Sequence, residues 1–292
     1  MIVITGALGH IGSRLIRELD DVIIIDNLLT QRYSSLFNLG KCKFIQADVM
    51  DADLEHIFKD ADVVIHLAAV VDAENSYKMR DEVYRVNIEG TRKVAAACLK
   101  VGCPLIFAST TSVYGIQDEE VDETCTNLKP QSPYAESKIE AEAILRNTPN
   151  LKYTIIRMGT IFGTSPGMRF HTAVNKFCFQ VSIGHPITVW RTALNQNRPY
   201  LGLWDMVRAT KFIIKNNLFN REIYNLVTIN TTVGHIIDII RDYFPNLSIN
   251  YVDSEIMSQL SYTISNKKFR NIGFEFTDNL SLGIGETLKL LS

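Results

Sequence analysis

The apolar positions of this chain follow two alternating rhythms. Ile2-Val3-Ile4 is a short run of β-branched residues, as in a strand buried on both faces, and Ile11, Leu15, Ile16 and Leu19 then recur at helical spacing. The strand signal returns at Val22-Ile23-Ile24-Ile25, Lys43-Phe44-Ile45-Gln46, Val63-Val64-Ile65-His66, Pro104-Leu105-Ile106-Phe107-Ala108, Tyr153-Thr154-Ile155-Ile156-Arg157 and residues 222–227. Helical patterns separate or follow these runs. One carries Val94, Ala95, Ala97, Cys98 and Leu99 on a single side, another covers 134–145, and further ones cover 206–215 and 232–243. Strand alternating with helix over most of the chain predicts an α/β fold, a doubly wound parallel sheet with helices on both faces.

Composition adds limits. The 292 residues are 46% hydrophobic and 21% charged, an ordinary globular balance with enough chain for a large core. A formal net charge of −2 argues against nucleic acid as a partner, because phosphate-backbone binding wants a basic face. Cys42, Cys98, Cys103, Cys125 and Cys178 show no C-x-x-C spacing, which predicts reduced structural thiols, no metal site and a cytoplasmic protein. The N-terminus enters the first strand directly, so no signal peptide is expected, and no apolar run reaches the roughly 18 residues of a membrane span.

Between the first strand and first helix lies Thr5-Gly6-Ala7-Leu8-Gly9-His10-Ile11-Gly12. Strand, glycine turn and helix together cradle a dinucleotide pyrophosphate in the Rossmann layout. Gly6 serves the tight turn, Gly9 the close approach of phosphate, and Gly12 the contact of helix with strand. Leu8, His10 and Ile11 belong to the same cradle, where free N–H groups and the positive end of the helix meet the anion. Asp26 follows about 20 residues after the glycines, where a carboxylate accepts hydrogen bonds from the adenosine ribose. A 2′-phosphate would face a like charge there, so NAD is expected over NADP. Small residues at Leu67-Ala68-Ala69 allow backbone to approach the cofactor, and His66 reads as a packed histidine. Tyr134 and Lys138 stand four apart, one turn along one helix face.

T-G-x-x-G-x-x-G, then Ser109-Thr110-Thr111-Ser112-Val113-Tyr114-Gly115, then Tyr134-Ala135-Glu136-Ser137-Lys138 resembles the extended short-chain dehydrogenase/reductase family, the nucleotide-sugar epimerases and dehydratases. The resemblance runs over roughly residues 1–215. It implies an NAD-binding Rossmann domain over 1–163, with 198–228 returning to it, and a smaller α/β substrate-binding lobe over 164–197 and 229–292. It implies catalysis by Tyr134, Lys138 and Thr110, with Lys138 lowering the pKa of the tyrosine as its neighbouring cation. Ser109 joins Tyr134 and Lys138 at the cofactor. Asp26, Asn27 and the stretch to Thr30 wrap the adenosine, while Asp48 and Val49 flank the adenine; Asp48 alone reads as a cap for a helix over 51–58. Asn87 is implied to be structural.

The substrate implied is a nucleotide-diphosphate sugar, with Thr111, Thr160 and Arg198 beside it. Family members commonly carry Asn where Thr160 stands, and Arg198 takes the role of a diphosphate clamp. Asp205 reads as a cap for the helix over 206–215. The second phosphate-binding arginine of many family members has no counterpart before the Ser265-Asn266-Lys267 segment, so that contact is either missing or supplied by another residue, such as Arg169 or Arg191. Dehydratases of the family carry an Asp-Glu pair directly after the catalytic threonine, where this chain has Thr111 and Ser112. A 4-epimerase is therefore the leading reading. A dehydrogenase, 4-ketoreductase or 4,6-dehydratase uses much of the same set, and a non-catalytic dinucleotide-binding regulator is the reading from another class. A homodimer through the helices at 92–100 and 134–145 is expected from their stripes Val94/Ala97/Cys98 and Ile139/Ala143/Ile144 and from the family's usual interface.

Overall fold

The computed structural model describes residues 1–40, 42–73, 75–253 and 261–292. Its first half contains β1 (Ile2–Thr5), α1 (His10–Glu18), β2 (Val22–Asp26), β3 (Cys42–Gln46), α2 (Leu54–Phe58), β4 (Val63–His66), α3 (Arg80–Tyr84), α4 (Gly90–Val101), β5 (Leu105–Thr110) and α5 (Pro133–Arg146). There follow β6 (Tyr153–Met158), β7 (Thr160–Phe162), α6 (Ala173–Ser182), β8 (Ile187–Trp190), β9 (Asn197–Gly202), α7 (Leu203–Lys215) and β10 (Glu222–Leu226). The chain continues through β11 (Ile229–Thr232), α8 (Val233–Tyr243), β12 (Ile249–Val252), α9 (Lys267–Asn271) and α10 (Leu280–Leu291).

Seven strands pair in parallel in the order β10-β6-β5-β4-β1-β2-β3. Ile4, Ile24 and Ile65 face one apolar layer, and Val3, Ile25, Val64 and Phe107 face the other, so the β-branched runs are covered on both sides. Connections reverse direction between β1 and β4. That switch point opens a crevice beyond the C-terminal strand ends, where open α/β sheets bind ligands. A second apolar core gathers Phe162, Val174, Phe177, Ile187, Ile236 and Ile284 beneath the smaller sheets β11-β9-β7 and β12-β8.

Three local expectations are corrected. α7 begins at Leu203 with Gly202 as its N-cap, so Asp205 lies inside the first turn and caps nothing. Its fully buried carboxylate instead accepts from the backbone N–H of Thr277 (2.9 Å) and Asp278 (3.1 Å) and from Thr228 Oγ1 (2.6 Å), and it pairs with Arg208. α2 begins only at Leu54, capped by Asp53, so Asp48 is no cap for it. Asp48 closes a local turn by accepting from Met50 N–H and from Asn27 Nδ2, both at 2.9 Å. Val94, Ala97 and Cys98 are buried against the sheet rather than turned outward, which withdraws them as a dimer stripe.

Candidate active site

A cavity of about 520 Å³ occupies the switch-point crevice. Gly6, Gly9, His10, Ile11, Gly12, Asp26, Asn27, Asp48, Val49, Leu67, Ala68 and Ala69 all line it. Leu8 does not: its side chain is buried in the core, and its N–H donates to Asp26 Oδ2 at 3.0 Å. The other Asp26 oxygen accepts from Leu28 N–H at 2.9 Å, which fixes the carboxylate at the cavity edge.

The three glycines answer to different demands. Gly6 has φ +67°, and a Cβ there would lie 2.6 Å from the Ala68 nitrogen. A Cβ on Gly12 would lie 2.5 Å from the Ala7 carbonyl oxygen, so α1 touches the turn that follows β1 through it. Gly9 is different, because a Cβ there would meet nothing closer than 3.3 Å. Its bare backbone serves the open space in front of it. α1 starts at His10 with Gly9 as N-cap and no side-chain cap, leaving first-turn amides for an anion. This cradle fits a dinucleotide diphosphate.

A second cavity of about 320 Å³ adjoins the first, sharing Ile11, Leu67, Asp72 and Arg169 among its walls. Ser109, Thr110, Thr111, Tyr134, Lys138, Thr160 and Arg198 line it. Ser132 Oγ accepts from Ala135 N–H at 3.2 Å and Pro133 opens α5, so local capping sets Tyr134 in the first turn and Lys138 in the next. Thr110 ends β5 on the same cavity wall as Tyr134; its Oγ1 accepts from Ser112 N–H and donates to Ser112 Oγ, both at 3.1 Å.

Burial raises the Tyr134 phenol above its ordinary pKa; the Arg169 charge and the Thr110 hydroxyl pull it back, and Tyr262 raises it slightly. Arg169 is the cation whose charge lowers the Tyr134 pKa in this structure. Lys138 Nζ turns instead to the Ala108 carbonyl at 2.8 Å and lies 4.8 Å from the Phe107 ring. Its own pKa is lowered to about 8 by burial, against a smaller opposing effect of Glu142.

Other lining hydroxyls are already engaged. Ser109 Oγ donates to buried Glu142 at 2.6 Å, and Glu142 forms a two-pronged pair with Arg157 at 2.9 and 2.6 Å. Thr111 Oγ1 donates to the Met158 carbonyl at 3.2 Å. Arg198 is placed differently, because its buried Nε has no partner. Asn87 bridges Val70 N–H and C=O and reaches Ser137 Oγ, all within 3.0 Å. His66 is packed between the hydroxyls of Thr5 (2.7 Å) and Thr91 (3.3 Å), and burial lowers its pKa to about 3.

The cavity walls also hold residues that the sequence reading passed over: Arg32 in the first, Lys176 and Tyr262 in the second, Asp72 and His171 in both. Arg32 had a weak signal, a cation in the polar turn after Asp26. Of the two arginines offered for a second phosphate contact, Arg169 lines both cavities. Arg191 points elsewhere, 62% exposed, 3.8 Å from Asp253 and over the Tyr251 ring. Asp72 is the carboxylate among the described residues lining the second cavity, and it accepts from Asn75 N–H (3.0 Å) and Nδ2 (2.7 Å). No helix among the described residues is long and apolar enough to cross a membrane.

Comparison with known proteins adds to this geometry. The model of the NAD dependent epimerase/dehydratase family matches residues 2–226. A putative UDP-glucose 4-epimerase of Methanocaldococcus jannaschii is 30% identical, over 82% of this chain and 81% of its own. A trifunctional UDP-glucose 4,6-dehydratase/UDP-4-keto-6-deoxy-D-glucose 3,5-epimerase/UDP-4-keto-L-rhamnose-reductase of Arabidopsis thaliana is 27% identical over 99% of this chain; the chain spans about half of that relative's length, 46%. Among solved structures, UDP-glucuronic acid 4-epimerase from Bacillus cereus in complex with UDP-glucuronic acid and NAD superposes with a TM-score of 0.90 at 25% identity, covering 99% of this chain and 98% of that one.

Proposed function

The chain belongs to the NAD dependent epimerase/dehydratase family, and from that premise we propose that it is a nucleotide-diphosphate-sugar 4-epimerase. Its cofactor is NAD. The observation that carries the reading is the wall of the second cavity. Tyr134 and Thr110 face the same space there, Lys138 lies one turn behind, and hydroxyls rather than carboxylates follow at positions 111 and 112. Bound NAD supplies a reversible hydride acceptor. Tyr134 takes the proton of the sugar C4 hydroxyl as the C4 hydrogen departs with its electron pair, leaving a 4-keto sugar. Thr110 hydrogen-bonds the same oxygen and orients it toward the phenol. Once the sugar has turned its other face, return of the hydride to C4 together with the Tyr134 proton to its oxygen gives the inverted alcohol, so no net oxidation occurs.

Lys138 holds the nicotinamide ribose, and Arg198 takes the substrate diphosphate with its unpartnered Nε. Thr111 and Thr160 border the sugar. Asp26, Asn27, Asp48 and Val49 border the adenosine. A 4,6-dehydratase needs an acid beside C6, and neither Thr111 nor Ser112 can supply one. The same reading makes the protein a homodimer across α4 and α5, through exposed Leu99 and half-buried Ala143 and Ile144. Incubation with UDP- and dTDP-linked hexoses, followed by proton NMR, tests the assignment. The expected outcome is an equilibrium mixture of C4 epimers from at least one sugar; a 4-keto-6-deoxy product would replace the reading with dehydration.

A further inference from the structure

The first cavity holds more positive charge than a glycine cradle needs. Arg32 and Arg169 both face it, and neither guanidinium makes a hydrogen bond or ion pair among the described residues. Each lies within the other's field, and Arg32 Nη1 is 3.7 Å from the point where a Gly9 side chain would begin. The nearby carboxylates are committed elsewhere, Asp26 to two backbone amides and Asp72 to Asn75. His10 adds an orphan: only 7% exposed, it lines the same cavity with Nε2 unpartnered, while Nδ1 is 2.8 Å from Ser165 Oγ.

The segment carrying Arg169 is seated on the glycine turn itself. Ser165 Oγ accepts from Ser13 Oγ at 3.1 Å, Gly167 N–H donates to Ser13 Oγ at 2.9 Å, and a Cβ on Gly167 would strike the Leu8 carbonyl oxygen at 2.3 Å. Asp26 and Asp72 act on Arg32 and Arg169 through space without an ion pair, so two guanidiniums and a buried, unpartnered imidazole nitrogen keep their hydrogen-bonding capacity for an anion. A diphosphate carries two negative charges and takes guanidinium contacts in pairs.

We propose that His10, Arg32 and Arg169 form a side-chain clasp that binds the NAD diphosphate over the glycine turn. The clasp rests on the reading of this cleft as the NAD site. Because Arg169 also faces Tyr134, an occupied clasp places the phosphate-binding cation beside the reacting wall of the second cavity.

Calorimetry on nucleotide-stripped protein tests this without any sugar, so a chain lacking epimerase activity can still pass. NAD, ADP-ribose and adenosine are titrated into wild type, Arg32→Gln, Arg169→Gln, Arg169→Lys and His10→Phe, with thermal melts to confirm folding. Each Arg→Gln change should weaken NAD and ADP-ribose about 10- to 100-fold, with a shallower salt dependence, and leave adenosine unchanged. Arg169→Lys should keep most of the affinity, and His10→Phe should lose about 5-fold. Wild-type affinity for ADP-ribose in both Arg→Gln variants would overturn the clasp, as would an equal loss for adenosine. It would also fall if Arg169→Gln weakened nucleotide-sugar binding to NAD-loaded protein alone.

Discussion

Tyr134 faces the reacting wall with a phenol whose burial holds it protonated, so its work as an acceptor depends on the charges around it. Arg169 and the Thr110 hydroxyl are the stabilising partners present, and bound cofactor adds the nicotinamide's positive charge. Tyr134→Phe should keep the fold and NAD binding yet lower turnover about 10²- to 10⁴-fold, measured as the rate of C4 inversion on one accepted sugar nucleotide. Near wild-type turnover would remove the residue from the mechanism. Lys138 gives a separate test through stability. Burial lowers its pKa from 10.5 to about 8, so across that interval the unfolded chain binds more protons than the folded one, and stability rises with pH. Below pH 8 the fold carries the full penalty of a buried ammonium. Lys138→Met should therefore be more stable than wild type at pH 7, by up to about 3 kcal/mol, with the gap closing toward pH 10.5. Urea unfolding at pH 7 and pH 10 reads this difference, and a gap that widens with pH would contradict it.

Single elements show how far one side chain can organise the chain around it. Asp205 sits in the first turn of α7 and ties Thr228, Thr277 and Asp278 to that helix from sequence distances of 23 to 73 residues. Asp205→Ala would leave those donors and Arg208 without their acceptor inside the protein. Its expected effect is about 3–5 kcal/mol of destabilisation in a denaturant titration, and a loss below 1 kcal/mol would show the donors finding water instead. The sequence reading took the same residue for a helix cap, since a carboxylate near a helix start offers no sign of contacts so distant. Strand runs such as Val22 to Ile25 were legible because burial on both faces leaves an unbroken apolar pattern. Gly6, Gly12 and Tyr134/Lys138 were legible for a similar reason, as their spacing is local. Arg32, His171 and Tyr262 reach the cavities through loops or a distant segment, and no local period reports such an approach.

At the scale of the whole molecule, the crevice opens at the strand ends of the parallel sheet, and the second cavity lies between that sheet and residues of β7, β8, β9 and α6. On α4 and α5, Leu99 is exposed and Ala143 and Ile144 are half-buried, whereas Val94, Ala97 and Cys98 serve the core and Ile139 packs on the cluster around Tyr114. A homodimer is the expected state in sedimentation at micromolar concentration, and Ile144→Glu should shift it to monomer; wild type sedimenting as monomer alone would contradict it. The central claim is that one active site both removes and returns hydrogen at C4. It is tested most directly with an accepted nucleotide sugar deuterated at C4, followed by NMR for product and by absorbance for reduced cofactor. The account predicts inversion at C4 with deuterium retained on that carbon and no accumulating NADH. Loss of the label to solvent, a 6-deoxy product, or NADH formed in step with substrate consumed would contradict it.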